Sequence, residues 1–213
     1  MKLSKIAMVA LATSFLSSGV AMATDYGPWQ VRVRALAVLP DVSSTITPIG
    51  GRASVDQSYV PELDISYFFN DNVSMELILA TSNHNVSAKA TALGNLDLGD
   101  VWLLPPTLLL QYHMAPEAVI NPYLGAGINY TVSYASDLPK GSALANIHYG
   151  DNVGVALQAG VDIKMNDDWF WNVDVKKLFL NTKVTIDAGS LGIVRGNVDL
   201  DPWIVGVGIG KRF

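Results

Sequence analysis

The sequence predicts an all-β fold: an eight-stranded antiparallel transmembrane β-barrel with short periplasmic turns and long extracellular loops. Three observations predict it. Eight segments alternate with a period of two, the signature of strands with two different faces. On those segments the glycines and charges share one face, and the large apolar residues occupy the other. The last segment, "DPWIVGVGIGKRF", ends the chain on Phe213.

The segments follow in order. Over 29–39, Trp29, Val31, Val33, Ala35, Ala37 and Leu39 alternate with Gln30, Arg32, Arg34, Leu36 and Val38. Residues 59–69 and 73–80 form a hairpin across Asn70-Asp71-Asn72, a turn by composition. The fourth strand, 107–114, is entered through Pro105-Pro106, which cannot both donate to a ladder and mark an edge or a kink. Residues 123–134 and 153–164 carry glycine on alternate positions, and 169–176 follows the turn Asn166-Asp167-Asp168. The eighth strand is 203–213. Three connections are short, and four (40–57, 81–104, 135–152, 182–199) are long. The short ones therefore share one end with both termini. The long ones are expected as irregular loops with room for a short helical turn.

Residues 1–23 read as a secretory signal peptide, with Lys2 and Lys5, an apolar stretch over 6–16 and the small-x-small site Ala21-Met22-Ala23. Residues 24–213 form one barrel domain. The chain is 50% hydrophobic and 15% charged, with mean hydropathy +0.29, yet no later run approaches the roughly 20 apolar residues of a spanning helix. Net charge is −5, and loss of the two leader lysines makes it more negative, which disfavours nucleic acid as a partner. With no cysteine, stability must come from packing and backbone pairing, and thiolate chemistry is excluded.

Charge and glycine decide which face is inside. The polar face carries Arg32, Arg34, Lys164 and Lys176 against Glu62, Asp64, Glu76, Asp162 and Asp174. Glycine gives an outer surface nothing, but an eight-stranded lumen has little room for anything larger. The apolar face therefore meets lipid. Tyr67, Phe69, Tyr112, Trp169 and Trp171 lie beside the short turns, and Trp203 and Phe213 bracket one tilted crossing. These seven are the expected membrane-interface aromatics. The signal peptide places such a barrel in the outer membrane of a Gram-negative bacterium. Its partners are then outer-membrane lipid and, through the C-terminal strand, the barrel-assembly machinery. A monomer is expected.

No constellation demands catalysis, a metal or a cofactor. His84 and His148 fall in long connections and His113 near a short turn, so they share no site and are expected as exposed loop residues. Ser82–His84 or His148/Asp151 could serve a lipid-modifying enzyme, but nothing in the spacing fixes their geometry. Gly27-Pro28-Trp29 mimics the opening of a lipocalin, whose apolar lumen would leave the glycine faces outside without purpose. The strands "GAG" at 125–127 and "GVGIG" at 206–210 lead into no helix and are not phosphate loops.

"LPPTLLLQY" at 104–112, "PYLGAGINYT" at 122–131, "QAGVD" at 158–162, "LDPW" at 200–203 and the terminal G-x-R-F together resemble the OmpW family of eight-stranded outer-membrane proteins. The resemblance implies a narrow barrel with an apolar lumen section that passes small hydrophobic molecules, sideways into the bilayer. It also implies an apolar constriction including Ile78, whose partner position, aromatic in relatives, corresponds here to Lys176. Parity puts Leu36, Val38 and Ile78 on an apolar stretch of lumen, and Arg34, Glu76, Asp174 and Lys176 on a polar floor, with Lys176 paired to Glu76 or Asp174. The expected function is a narrow passive channel for a small hydrophobic ligand. The alternative is a plugged structural or receptor barrel whose loops bind a phage, bacteriocin or host surface.

Overall fold

The computed structural model describes residues 27–139, 146–187 and 192–213, so the expected signal peptide, residues 1–23, lies outside the described residues. Among these are fifteen strands: β1 (Trp29–Leu39), β2 (Ser43–Thr47), β3 (Arg52–Val55), β4 (Ser58–Phe68), β5 (Val73–Ala80), β6 (Ser82–Thr91), β7 (Gly94–Leu104), β8 (Thr107–His113), β9 (Ile120–Asp137), β10 (Asn146–Tyr149), β11 (Asn152–Lys164), β12 (Trp169–Phe179), β13 (Asn181–Asp187), β14 (Ile193–Asp199) and β15 (Trp203–Arg212). Eight of them pair antiparallel in the order β11-β12-β15-β1-β4-β5-β8-β9, and the pairing of β9 with β11 closes the barrel. These are the eight expected strands. Closure leaves the barrel sheet no free edge, which a bilayer demands.

The long connections differ from expectation. Instead of irregular loops they supply seven strands that carry the wall upward beyond the barrel. Sheet β10-β13-β14-β2 continues one half, and β3-β6-β7 with the upper part of β9 continues the other. The reason is the same two-faced alternation at lower contrast. In β13, Thr182, Val184 and Ile186 point inward while Lys183, Thr185 and Asp187 point outward. An outer face of polar residues common in loops hides a strand from a reading based on hydrophobic contrast. A buried apolar cluster of Ile46, Val86, Leu98, Val101, Ile147, Val184, Ile186 and Val198 holds the two upper sheets together.

On the barrel the outward positions are apolar and solvent-accessible in the isolated chain, as at Val33, Leu110, Ile128, Val155 and Val207. That is inverted relative to a water-soluble core and fits contact with lipid. The aromatics bound this band. Tyr67 packs edge-on between Trp29 and Phe69, at ring-centroid distances of 5.0 and 5.5 Å, and Tyr112, Trp169 and Trp171 lie at the same short-turn end. Lys211 lies 5.0 Å above the ring of Phe213 and within 3.9 Å of Asp168, snorkelling at that rim. At the opposite rim Trp203 stacks under Lys177 at 4.8 Å.

Two glycines show why the inner face tolerates so little bulk. A Cβ on Gly208 would collide with the Val33 carbonyl, and one on Gly127 with the Leu108 carbonyl. The tightly coiled wall brings neighbouring backbone into the space that a side chain would need.

Candidate functional site

The inward residues sort into two zones. The lower zone, toward the short turns, is a buried network of charges and amides. Arg32 donates from Nη1 to Glu76 Oε1 at 2.7 Å and from Nη2 to Asp162 Oδ2 at 2.9 Å, and its guanidinium sits over the Tyr123 ring at 5.1 Å. Arg34 is the hub. Its Nη1 donates to Asp174 Oδ2 at 2.7 Å, its Nη2 to Glu76 at 3.3 Å, and its Nε lies 2.8 Å from Glu62 and 2.7 Å from Asp64. Gln111 bridges Glu76 to Gln158, and Gln158 passes the chain on to Asp174, each step at 2.8 Å. Asn172 joins Asp162 to the Tyr123 hydroxyl at 2.7 and 3.0 Å. These side chains come from β1, β4, β5, β8, β9, β11, β12, so the network cross-braces almost the whole circumference.

Lys176 forms the upper edge of this layer. Its Nζ donates to Glu62 Oε1 at 2.6 Å and lies 3.1 Å from Asp174. The Asp174 partner is as expected. Glu76 is not a partner of Lys176: it lies deeper and is taken by Arg32 and Arg34, while Glu62 occupies the place beside Lys176. Lys164 is not in the network either. It sits half-buried at the short-turn mouth, where Nζ donates to the Glu117 carbonyl at 3.3 Å. The cation count of the layer is three (Arg32, Arg34, Lys176), with five buried carboxylates around them.

Above Lys176 the lumen changes character. Leu36, Val38 and Ile78 are buried there, and Leu109, Ala156, Leu178, Leu180 and Ile204 join them in one apolar cluster. Leu36, Val38, Ile78, Leu178, Leu180 and Ile204 line an apolar chamber whose base carries Glu62 and Lys176, and Leu109 and Ala156 pack within the same cluster. A second apolar cavity, a vestibule, lies between the two upper sheets. Val55, His84, Leu103, Thr131 and Leu200 line both, so chamber and vestibule adjoin.

The chamber wall has a weak seam. The β5–β8 ladder ends at the pair Ile78–Thr107, and the β6–β7 ladder starts again at Ser82–Leu103. Between them stand Leu104, Pro105 and Pro106. Proline has no N–H to offer a neighbouring strand. Ile78, Ala80, Leu103, Pro105 and Thr107 line the chamber along this seam.

The histidines correct another expectation. Only His148 is exposed in the expected manner; His84 and His113 are buried on strands. His113 lies between Phe68 and Tyr123, with Ser74 Oγ 3.3 Å from Nε2. His84 Nδ1 lies 2.8 Å from the Asp56 carbonyl, which fixes a proton on Nδ1 and leaves Nε2 to accept from the Ser82 hydroxyl at 3.1 Å. The structure thus does bring Ser82 and His84 together, and what they do geometrically is fasten the β3–β4 link to β6. Burial pushes His84 below the usual histidine range. A depressed native value means that the unfolded chain binds more protons below about pH 6.5, so stability is lost as pH falls from there through the native value. His84→Asn is expected to flatten that acid limb in denaturant titrations of the barrel between pH 7 and 4, relative to the parent.

Most of the missed lining residues carried a signal. Ile204 shares parity with Gly206, and Leu178 and Leu180 continue the parity of Lys176 past the expected strand end at 176. Leu109, buried in the same apolar cluster, gave none, because "LLL" at 108–110 is apolar on both faces.

A family model for the OmpW family matches residues 25–213. The outer-membrane protein y4mB of Sinorhizobium fredii is 42% identical over 210 residues, covering 96% of this chain and 90% of that protein. Outer membrane protein W of Escherichia coli is 33% identical over 216 residues, covering 98% and 99%. Among solved structures, the outer membrane protein OprG from Pseudomonas aeruginosa superposes with a TM-score of 0.81 at 32% identity, covering 88% of this chain and 96% of that one.

Proposed function

Because this chain belongs to the OmpW family of outer-membrane barrels, we propose that it is a narrow passive conduit for small hydrophobic molecules. The molecule enters at the long-connection end, descends the vestibule into the chamber lined by Leu36, Val38 and Ile78, and leaves sideways into the bilayer through the seam at Pro105–Pro106. The observation that carries the reading is the stacking of an apolar tract on a charged floor. An apolar molecule gains by leaving water for the chamber. It gains nothing by entering the layer of Arg34, Glu76, Asp174 and Lys176, whose hydrogen bonds it would break without replacing. The C-terminal strand ending on Phe213 is the element that the barrel-assembly machinery would read, and residues 1–23 would be its cleaved export signal.

The test is uptake of an apolar fluorescent probe into proteoliposomes whose outer leaflet carries lipopolysaccharide, which slows unaided entry. Protein-containing liposomes should exceed empty ones. Ile78→Glu puts an unpaired carboxylate in the chamber, at a cost of several kcal/mol for an apolar guest, and should return uptake to the empty-liposome rate. Unchanged uptake in this variant would sink the proposal. The filled lower lumen favours a second reading, a closed barrel that serves as a receptor at its long-connection end. Uptake by the parent protein no faster than by empty liposomes would select it.

A further inference from the structure

The vestibule wall is apolar on nearly all sides, from Val86, Leu98 and Val101 across to Val184, Ile186 and Val198. Its polar residues mostly serve the protein itself. His84 is engaged with Asp56 and Ser82, Thr131 donates to Asn129 at 2.6 Å, and Thr182 accepts from Asn152 at 2.6 Å. Tyr149 does not follow them. It ends β10, pairs in the ladder with Val184 and is 8% exposed, and its ring lines the vestibule. Its hydroxyl is buried without a hydrogen-bond partner among the described residues. Leaving such a group unmatched costs about 1–3 kcal/mol. Burial, and then the nearby Asp100 carboxylate, raise its pKa, so it stays a protonated donor throughout the physiological range.

We propose that the vestibule is a binding subsite for hydrophobic molecules carrying one hydrogen-bond acceptor, which takes the proton of Tyr149 Oη. The inference rests on the conduit reading and narrows it. The preferred cargo class is an apolar skeleton with a single carbonyl, ether or ring-nitrogen acceptor, ahead of the plain hydrocarbon of the same size. The apolar wall excludes molecules with several polar groups, because each further group would be stripped of water without compensation. The buried hydroxyl of Tyr149, without a hydrogen-bond partner among the described residues, favours those with one.

Two probes of nearly equal size separate these classes: 1-acetonaphthone, which has a carbonyl acceptor, and 1-ethylnaphthalene, which has none. Binding is measured to the full barrel in lipid nanodiscs, with protein-free nanodiscs as background. The parent protein should hold the ketone about three- to tenfold more tightly than the hydrocarbon, the range of one net hydrogen bond. Tyr149→Phe removes an oxygen that has no hydrogen-bond partner among the described residues, so the folded barrel's mobility on unheated gels should be kept. In that variant the preference should disappear, with hydrocarbon binding unchanged. A preference that survives Tyr149→Phe, or a parent protein that binds both probes equally, overturns the subsite and leaves the conduit standing. Binding of neither probe above background overturns both.

Discussion

Arg34→Ala is expected to lower the unfolding free energy of the barrel by about 3–5 kcal/mol, the range for breaking a buried ion pair by deleting one partner. The guanidinium stands among Glu62, Asp64, Glu76 and Asp174, all within 3.3 Å of it. Without it, Arg32 and Lys176 remain to face five buried carboxylates. The measurement is reversible urea unfolding in lipid, followed by tryptophan fluorescence. Arg34→Lys should recover only part of the loss, because an ammonium cannot reach four carboxylates with a planar fork. A shift of the midpoint no larger than that of an outward Val33→Ala control would show that the network contributes nothing to stability.

Gly208→Val should be more damaging still. Its Cβ would meet backbone, the Val33 carbonyl and Arg34 Cα, and no rotamer change relieves a backbone clash. Adjacent strands would have to separate where β1 pairs with β15 between Arg34 and Gly208. The expected result is a loss beyond 4–5 kcal/mol, seen as failure to reach the compact form on unheated gels. Gly196→Ala, where an added Cβ meets side-chain atoms at an ordinary 3.8 Å, is the control and should fold as the parent does.

The barrel was legible because membrane strands exaggerate the contrast between their two faces. Val205, Val207 and Ile209 against Gly206, Gly208 and Gly210 admit one orientation once lipid is outside. The lumen residues followed from the same parity, so Leu36, Val38, Ile78, Arg34, Glu76, Asp174 and Lys176 all lie inside. Partner choice was not legible. Parity sets a face, but strand stagger sets height, and Glu62 rather than Glu76 arrives beside Lys176 because of register. The upper wall escaped for a different reason. Outside the bilayer an outer face of Asn, Thr, Asp, Lys and Arg is as suitable for a strand as for a loop, so β13 and β14 announce themselves chiefly through Val184, Ile186, Val194 and Val198. The burial of His84 and His113 depends on what lies across the lumen, which a single strand does not reveal.

The charged floor also has a kinetic meaning. In the proposed conduit, a chamber shut at its base would have two ways out: back through its entrance or across its wall. Every occupant would then be divided between return and delivery, and throughput would be the arrival rate multiplied by the fraction delivered. As supply increases, the chamber fills and delivery reaches a ceiling set by the slower lateral step. A conduit of this build should therefore saturate as a carrier does, although no part of it alternates between the two sides of the membrane.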